Sequence, residues 1–249
     1  MASANNVKQI GLAMFNYESA MKKLPPAFTV DKNGKPLHSW RTLLLPYLEQ
    51  SALYDKLKLD EPWDSDHNLP LLKEAVIPAY NSPAHGPSTK TTYQTIRAAN
   101  SMFPGKDSVT FAKVKDGLSN TLLVVETNLD KAVEWYKPDD FVPDEKDPRK
   151  GLTGVWPGLI LVGMGDGSVR FISDLIPIET FRRLIDKADG NPIDQGDLDA
   201  GRPDEFRRDR AVENLQPEEP ERAPPPRLEP RLKKGEKDPT APPEFKSIP

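Results

Sequence analysis

Apolar and polar positions alternate with two different periods along this chain, and the change of period divides it. In NNVKQIGLAMFNYESAMKKLPPA, Val7, Ile10, Met14, Tyr17, Met21 and Leu24 recur at steps of three and four. That spacing puts them in one stripe of a helix and predicts that they pack it onto a core. Asn5 or Asn6 can cap its start, and Pro25-Pro26 ends it. Gly11 inside the helix costs about 1 kcal/mol against alanine, which marks a close backbone approach. In FTVDKNGKPLHSW, Asn33-Gly34 supplies the left-handed residues of a tight turn. LHSWRTLLLPYLEQSALYDKL reads as helical, kinked or restarted at Pro46, with Trp40, Leu43, Leu44, Tyr47 and Leu48 facing the core. LDEPWDSDHNLPLLKEAV reads as a capped turn entering another short helix.

Beyond residue 90 the period shortens. TKTTYQTIR, SNTLLVVET, AVEWY, GLILVG and SVRFIS are short, rich in β-branched and aromatic residues, and separated by glycine, proline and acidic turns. PIETFRRLIDKA closes this region as a helix with proline at its first position. Helices first, strands later and one terminal helix predict an α+β fold with an antiparallel sheet, not βαβ units.

Composition marks a second boundary. From Asn191 to Pro249 there are twelve prolines, 14 acidic and 11 basic residues in 59 positions. Such a segment cannot bury enough surface to offset its ordering, so residues 191–249 read as an extended or disordered tail and 1–190 as the folded domain. The domain keeps 23 basic residues (34 less 11) against 24 acidic ones (38 less 14), which gives no electrostatic case for nucleic acid. There is no cysteine, hence no disulfide or thiolate metal site. No apolar run approaches the ~18 residues of a membrane span.

LVGMGDGSVRFIS raises the central question about chemistry, because one acid sits among three glycines. A phosphate-cradling loop must open a helix, whose aligned N–H groups hold the anion. Here the residues after Gly167 alternate like a strand, and the spacing Gly163-x-Gly165-x-Gly167 fits neither phosphate-binding pattern. Asp166-Gly167 therefore reads as a hairpin turn between two strands.

These blocks also resemble a bacterial family of pilin-like proteins, abundant in planctomycetes, with a prepilin-type N-terminus followed by a domain of unknown function. The resemblance covers about residues 4–190 and rests on NNVKQIGLAMFNYESAMKKLPPA, GKPLHSWRTLLLPYLEQSALYDKLKLDEPWDSDHN, DGLSNTLLVVE and GDGSVRFIS. It implies a type IV pilin-like fold, with a long N-terminal helix on an antiparallel sheet and the helix's upstream half in the membrane. It supplies no catalytic residues. Three positions depart from the pattern: Trp156 stands where a histidine often lies ten residues before the turn aspartate, Ser82 where a cysteine is frequent, and Phe15 where the first helix block often has histidine.

Other constellations have plain readings. Asp64-x-Asp66-x-Asn68 opens like a calcium loop, but Leu69 and Ala75 occupy the positions that need glycine and glutamate. Asp64, Ser65 or Asp66 then caps the next helix, and Asp60, Glu61, Asp64 and Asp66 are the candidate oxygen ligands if calcium binds. His38, His67 and His85 form no metal-binding spacing. Ser119 lacks a nucleophile elbow; Asp116-Gly117 and Ser119-Asn120 read as a turn bonding local backbone. Trp40, Trp63, Trp135 and Trp156 are core residues first and a ligand groove second.

The reading favoured by the resemblance is a non-enzymatic pilin- or pseudopilin-like protein without cofactor, assembled with other subunits or displayed on the cell envelope. Its membrane contact would run only through a segment upstream of this chain. A genuine start at Met1 would favour a soluble cytoplasmic relative instead. The alternatives are an extracytoplasmic module binding a small solute or calcium and, third, a hydrolase.

Overall fold

A computed structural model describes residues 2–199 of the chain. Helix α1 (Ala2–Met21) opens it, followed by a hairpin of β1 (Phe28–Val30) and β2 (Pro36–Ser39). Helices α2 (Trp40–Leu43), α3 (Ser51–Tyr54) and α4 (Asn68–Leu72) come next, each barely a turn long. Then come β3 (Lys90–Thr91), β4 (Tyr93–Gln94), β5 (Leu122–Glu126), β6 (Val133–Glu134), β7 (Leu159–Met164) and β8 (Val169–Ser173). Helices α5 (Ile178–Ile185) and α6 (Gln195–Asp199) end the described chain. The fold is α+β: β4-β5-β7-β8 form one antiparallel sheet in that order, and β3 pairs with β6 alongside.

Both faces of the four-stranded sheet are covered. Val7, Ile10, Met14 and Tyr17 of α1 join Val124 and Leu161 in one core. Ile160, Val162, Met164 and Ile172 turn the other way, onto Phe181 and Leu184 of α5. This explains why β7 reads LILVGM without alternation: a strand buried on both faces has no polar side.

Several expectations need correction. Met21 is 51% exposed and leaves the packing stripe, while Leu24 is buried but lies beyond the helix, which ends at left-handed Lys22 (φ 59°). Neither Asn5 nor Asn6 caps α1, since the helix already runs from Ala2. The expected helix around Pro46 is instead the end of β2, then α2, a 3-10 turn Leu45–Leu48 and α3. Pro177 precedes α5 rather than opening it. The packed chain also continues past residue 190: Leu198 of α6 is buried in the α5 core, and Thr180 Oγ1 donates to Asp197 Oδ2 (2.6 Å). Most of the proline-rich tail, residues 200–249, lies outside the described residues.

Candidate functional site

Three glycines stand in a row around Asp166, each for a different physical reason. Gly167 N donates to Met164 O (2.9 Å) and Met164 N to Ser168 O (2.8 Å), so β7 and β8 are joined by a three-residue loop. Gly167 alone carries the left-handed conformation (φ 77°) that closes such a loop. A β-carbon on Gly165 would lie 2.8 Å from the Leu118 carbonyl oxygen, and one on Gly163 would lie 2.8 Å from Val7 Cγ1 of α1. Asp166 Oδ1 accepts from Ser168 N (2.8 Å). Partial burial pushes its carboxyl up, but the bonds from Ser168 outweigh that and hold it below the ordinary value. The acid turns the chain and stays ionised.

The turn at Asn33-Gly34 repeats the device. Gly34 N donates to Asp31 O and Asp31 N to Lys35 O, and only Gly34 is left-handed (φ 83°), so Asn33 does not share that conformation as expected. At Asp116-Gly117, Gly117 is left-handed (φ 92°) and Asn120 Nδ2 donates to Asp116 O (3.1 Å). The Asp116 carboxylate reaches further than the expected local bond, accepting from Asp189 N (2.8 Å) and Gly190 N (2.9 Å).

Helix α1 docks on the 163–167 hairpin. Lys8 Nζ donates to Gly167 O (2.9 Å), and a β-carbon on Gly11 would lie 3.7 Å from Gly167 Cα. The helix and the loop do meet at Gly11, but at an ordinary contact distance that leaves room for a β-carbon. The helix is fastened at its start by a carboxylate that the sequence reading did not single out. Glu126, at the end of β5 and 1% exposed, accepts at Oε1 from Ser3 Oγ (3.1 Å), Ser82 Oγ (2.9 Å) and Thr92 Oγ1 (3.3 Å). Its Oε2 accepts from Trp156 Nε1 (2.7 Å). Asn6 adds a bond from Nδ2 to Asn81 O (2.9 Å). A buried carboxylate needs such donors in place of water. Here four neutral donors from separate segments supply them. Trp156 and Ser82, two of the three positions that depart from the resembled pattern, thus meet on one side chain.

A second buried constellation lies on the other side of β4. Arg41 and Asp140 pair at 2.9 Å with both side chains 0% exposed. Arg41 also donates to Tyr93 O, Asp139 O and Ser39 Oγ, while Asp140 Oδ1 accepts from Trp40 Nε1 (2.9 Å) and Thr95 N (3.0 Å). Burial pushes the Asp140 carboxyl up, against the pull of the Arg41 charge. The pair ties α2 to β4 and to the 139–140 segment.

The acidic turn folds around the Asn68 side chain. Asn68 Oδ1 accepts from Lys58 N (3.0 Å), and Nδ2 donates to Lys58 O (2.9 Å) and Pro62 O (3.1 Å). Ser65, one of the expected caps, accepts at Oγ from Asn68 N (3.1 Å). His38 is buried with Nε2 2.8 Å from Glu61 O. The Glu61 carboxylate pairs with Lys58 (3.0 Å), and Asp60, Asp64 and Asp66 are exposed. Among the described residues no three His, Cys, Asp or Glu come together as metal ligands. His67 bonds Lys56 O through Nε2, His85 is exposed, and Ser119 is exposed. Trp40 and Trp135 sit in the core around Tyr80, Trp63 and Trp135 both pack on Tyr136, and Trp156 packs on Phe171, so all four indoles serve as packing residues.

Fold and site thus define an α+β protein whose buried polar groups fix a long first helix against an antiparallel sheet. A family model described as "Protein of unknown function (DUF1559)" matches residues 1–95 and 78–156, and the chain belongs to that family. No curated protein and no solved structure matches it.

Proposed function

We propose that the chain is a non-enzymatic, pilin- or pseudopilin-like part of the cell envelope, working by assembly with like subunits or by display. The observation that carries this reading is the seating of α1. Val7, Ile10, Met14 and Tyr17 lay the helix against the sheet, while Gln9, Leu12 and Asn16 on its other side face solvent. Its first turn is fastened through Ser3 to Glu126. A helix held rigidly from its first turn can transmit the position of an anchor placed upstream. No helix among the described residues is long and apolar enough to cross a membrane; the reading takes its anchor to be a segment upstream of Met1.

The test is the reading frame ahead of Met1, together with fractionation of the full-length protein in its own host. The expected outcome is an apolar stretch of about 20 residues behind a short basic leader, with the protein in the membrane or sheared-surface fraction. A frame lacking that stretch, with all of the protein in the cytosol, overturns the reading.

A further inference from the structure

A cavity of about 410 Å³ opens beside β4 and β6, lined by Gln94, Lys131, Val133, Phe141, Val142 and Lys150, together with Asp140 and Asp144. We propose that it takes the free carboxyl end of a peptide whose last side chain is apolar. This inference stands whether or not the chain is an envelope protein.

The polar anchor is Gln94, which is 2% exposed. Its amide group spends both hydrogens, donating to Thr127 Oγ1 (3.0 Å) and Lys131 O (2.6 Å). That fixes the amide plane and leaves Oε1 as the acceptor for a ligand N–H, such as that of a terminal peptide unit. Val133, Phe141 and Val142 supply the apolar wall, and Val142 is 59% exposed without a ligand. Lys131 and Lys150 stand at the rim with loose partners only, at 3.9 Å from Asp130 and 3.7 Å from Asp144. Lys131 can turn its ammonium to a carboxylate freely, whereas at Lys150 the ligand competes with Asp144, which also lines the cavity.

The walls are held in place before any ligand arrives. Gly151, in a left-handed conformation (φ 96°), lets the Phe141 ring and the Lys131 stem close over it, at 3.5 and 3.6 Å from where its β-carbon would be. The Asp140 side chain is 0% exposed and committed to Arg41, which makes that side of the cavity rigid. Asp144 is held by Lys146 N (2.9 Å) and Asp147 N (3.0 Å). Those backbone bonds, with Lys150 nearby, keep its carboxyl below the ordinary range. The volume lies within the ~300–1,000 Å³ range of small-ligand pockets. A free amino acid adds an ammonium to a cavity that already carries the Lys131 and Lys150 charges against the one ionised carboxylate of Asp144, since Asp140 is paired with Arg41.

The experiment is a titration of the full chain, followed by amide NMR and calorimetry, with N-acetyl-alanyl-leucine as the free acid, the same peptide as its C-terminal amide, and free leucine. The acid is expected to bind with a dissociation constant of about 1 mM or tighter. Its shifts should centre on residues 94, 131–133 and 141–151, and binding should weaken in 0.5 M salt, where the Debye length shrinks to about 4 Å. The amide, free leucine and the double variant Lys131→Ala/Lys150→Ala should each bind at least about tenfold more weakly. Both lysines are exposed, so the variant keeps its fold, checked by an unchanged Tm. Equal binding of acid and amide, equal or tighter binding of free leucine, an unaffected double variant, or no shift at millimolar acid each overturns the proposal.

Discussion

Gly165 is where one added carbon tests the hairpin geometry. Its β-carbon would meet the Leu118 carbonyl oxygen at 2.8 Å, a backbone atom that cannot swing away. Gly165→Ala should therefore destabilise the protein by about 1–3 kcal/mol. Gly11→Ala makes only an ordinary 3.7 Å contact within a helix, and should be neutral or stabilising by up to ~1 kcal/mol. Urea denaturation of the two variants separates them, and equal effects would contradict the close packing of Gly165 on the Leu118 backbone. His38 supplies a second test at this scale. Burial holds its imidazole below the usual value, outweighing the backbone bond at Glu61, and its buried Nδ1 has no partner. The folded state thus favours the neutral ring. That contribution to stability is fully present above the unfolded pKa of about 6.5 and is lost as pH falls below it. The urea midpoint should drop between pH 7.5 and 5.5, and His38→Gln should flatten part of that slope.

At the scale of elements, the first helix separates what the sequence displays from what it hides. The stripe Val7, Ile10, Met14, Tyr17 was legible because a helix repeats its contacts every three or four residues. Met21 failed because nothing among the described residues covers the last turn of the helix, where it is 51% exposed, and periodicity carries no signal for where the partner surface stops. The turns at Gly34, Gly117 and Gly167 were legible because left-handed backbone selects glycine locally. The Glu126 cluster was not: its donors come from residues 3, 82, 92 and 156, and only tertiary folding brings them together. The one sequence hint was an acid closing the otherwise apolar run LLVVE of β5. Glu126→Gln keeps the shape and the acceptor for Trp156, but loses the charge-assisted bonds and forces the three hydroxyls to turn and accept from its amide. It should cost about 1–3 kcal/mol and raise amide exchange in the first turns of α1 more than in α5. An unchanged exchange pattern in α1 would show that the carboxylate does not fasten the helix.

Across the whole described molecule, the sheet separates two cores, and their dependence on the far end of the chain differs. The α1 side is closed by residues between Ala4 and Phe171, all within the expected domain. The α5 side is closed in part by Leu198, eight residues past the boundary that composition suggested at 190. Proline and charge content average over a window, so they cannot register one leucine that returns to the sheet. Leu198 is 2% exposed, Thr180 donates to Asp197 at 2.6 Å, and Arg170 Nη1 reaches Gln195 Oε1 at 3.3 Å. Burying one leucine is worth about 1.5–3 kcal/mol, the part-buried Thr180 bond adds about 1 kcal/mol at most, and the exposed Arg170 contact adds little. A chain ending at residue 190 should thus unfold about 1–3 kcal/mol more readily than one ending at 199. The loss should fall on exchange protection in α5 and β8 and spare α1. Should the two chains unfold at the same urea concentration with the same protection, Leu198 contributes nothing to the core and the domain ends where the composition changes.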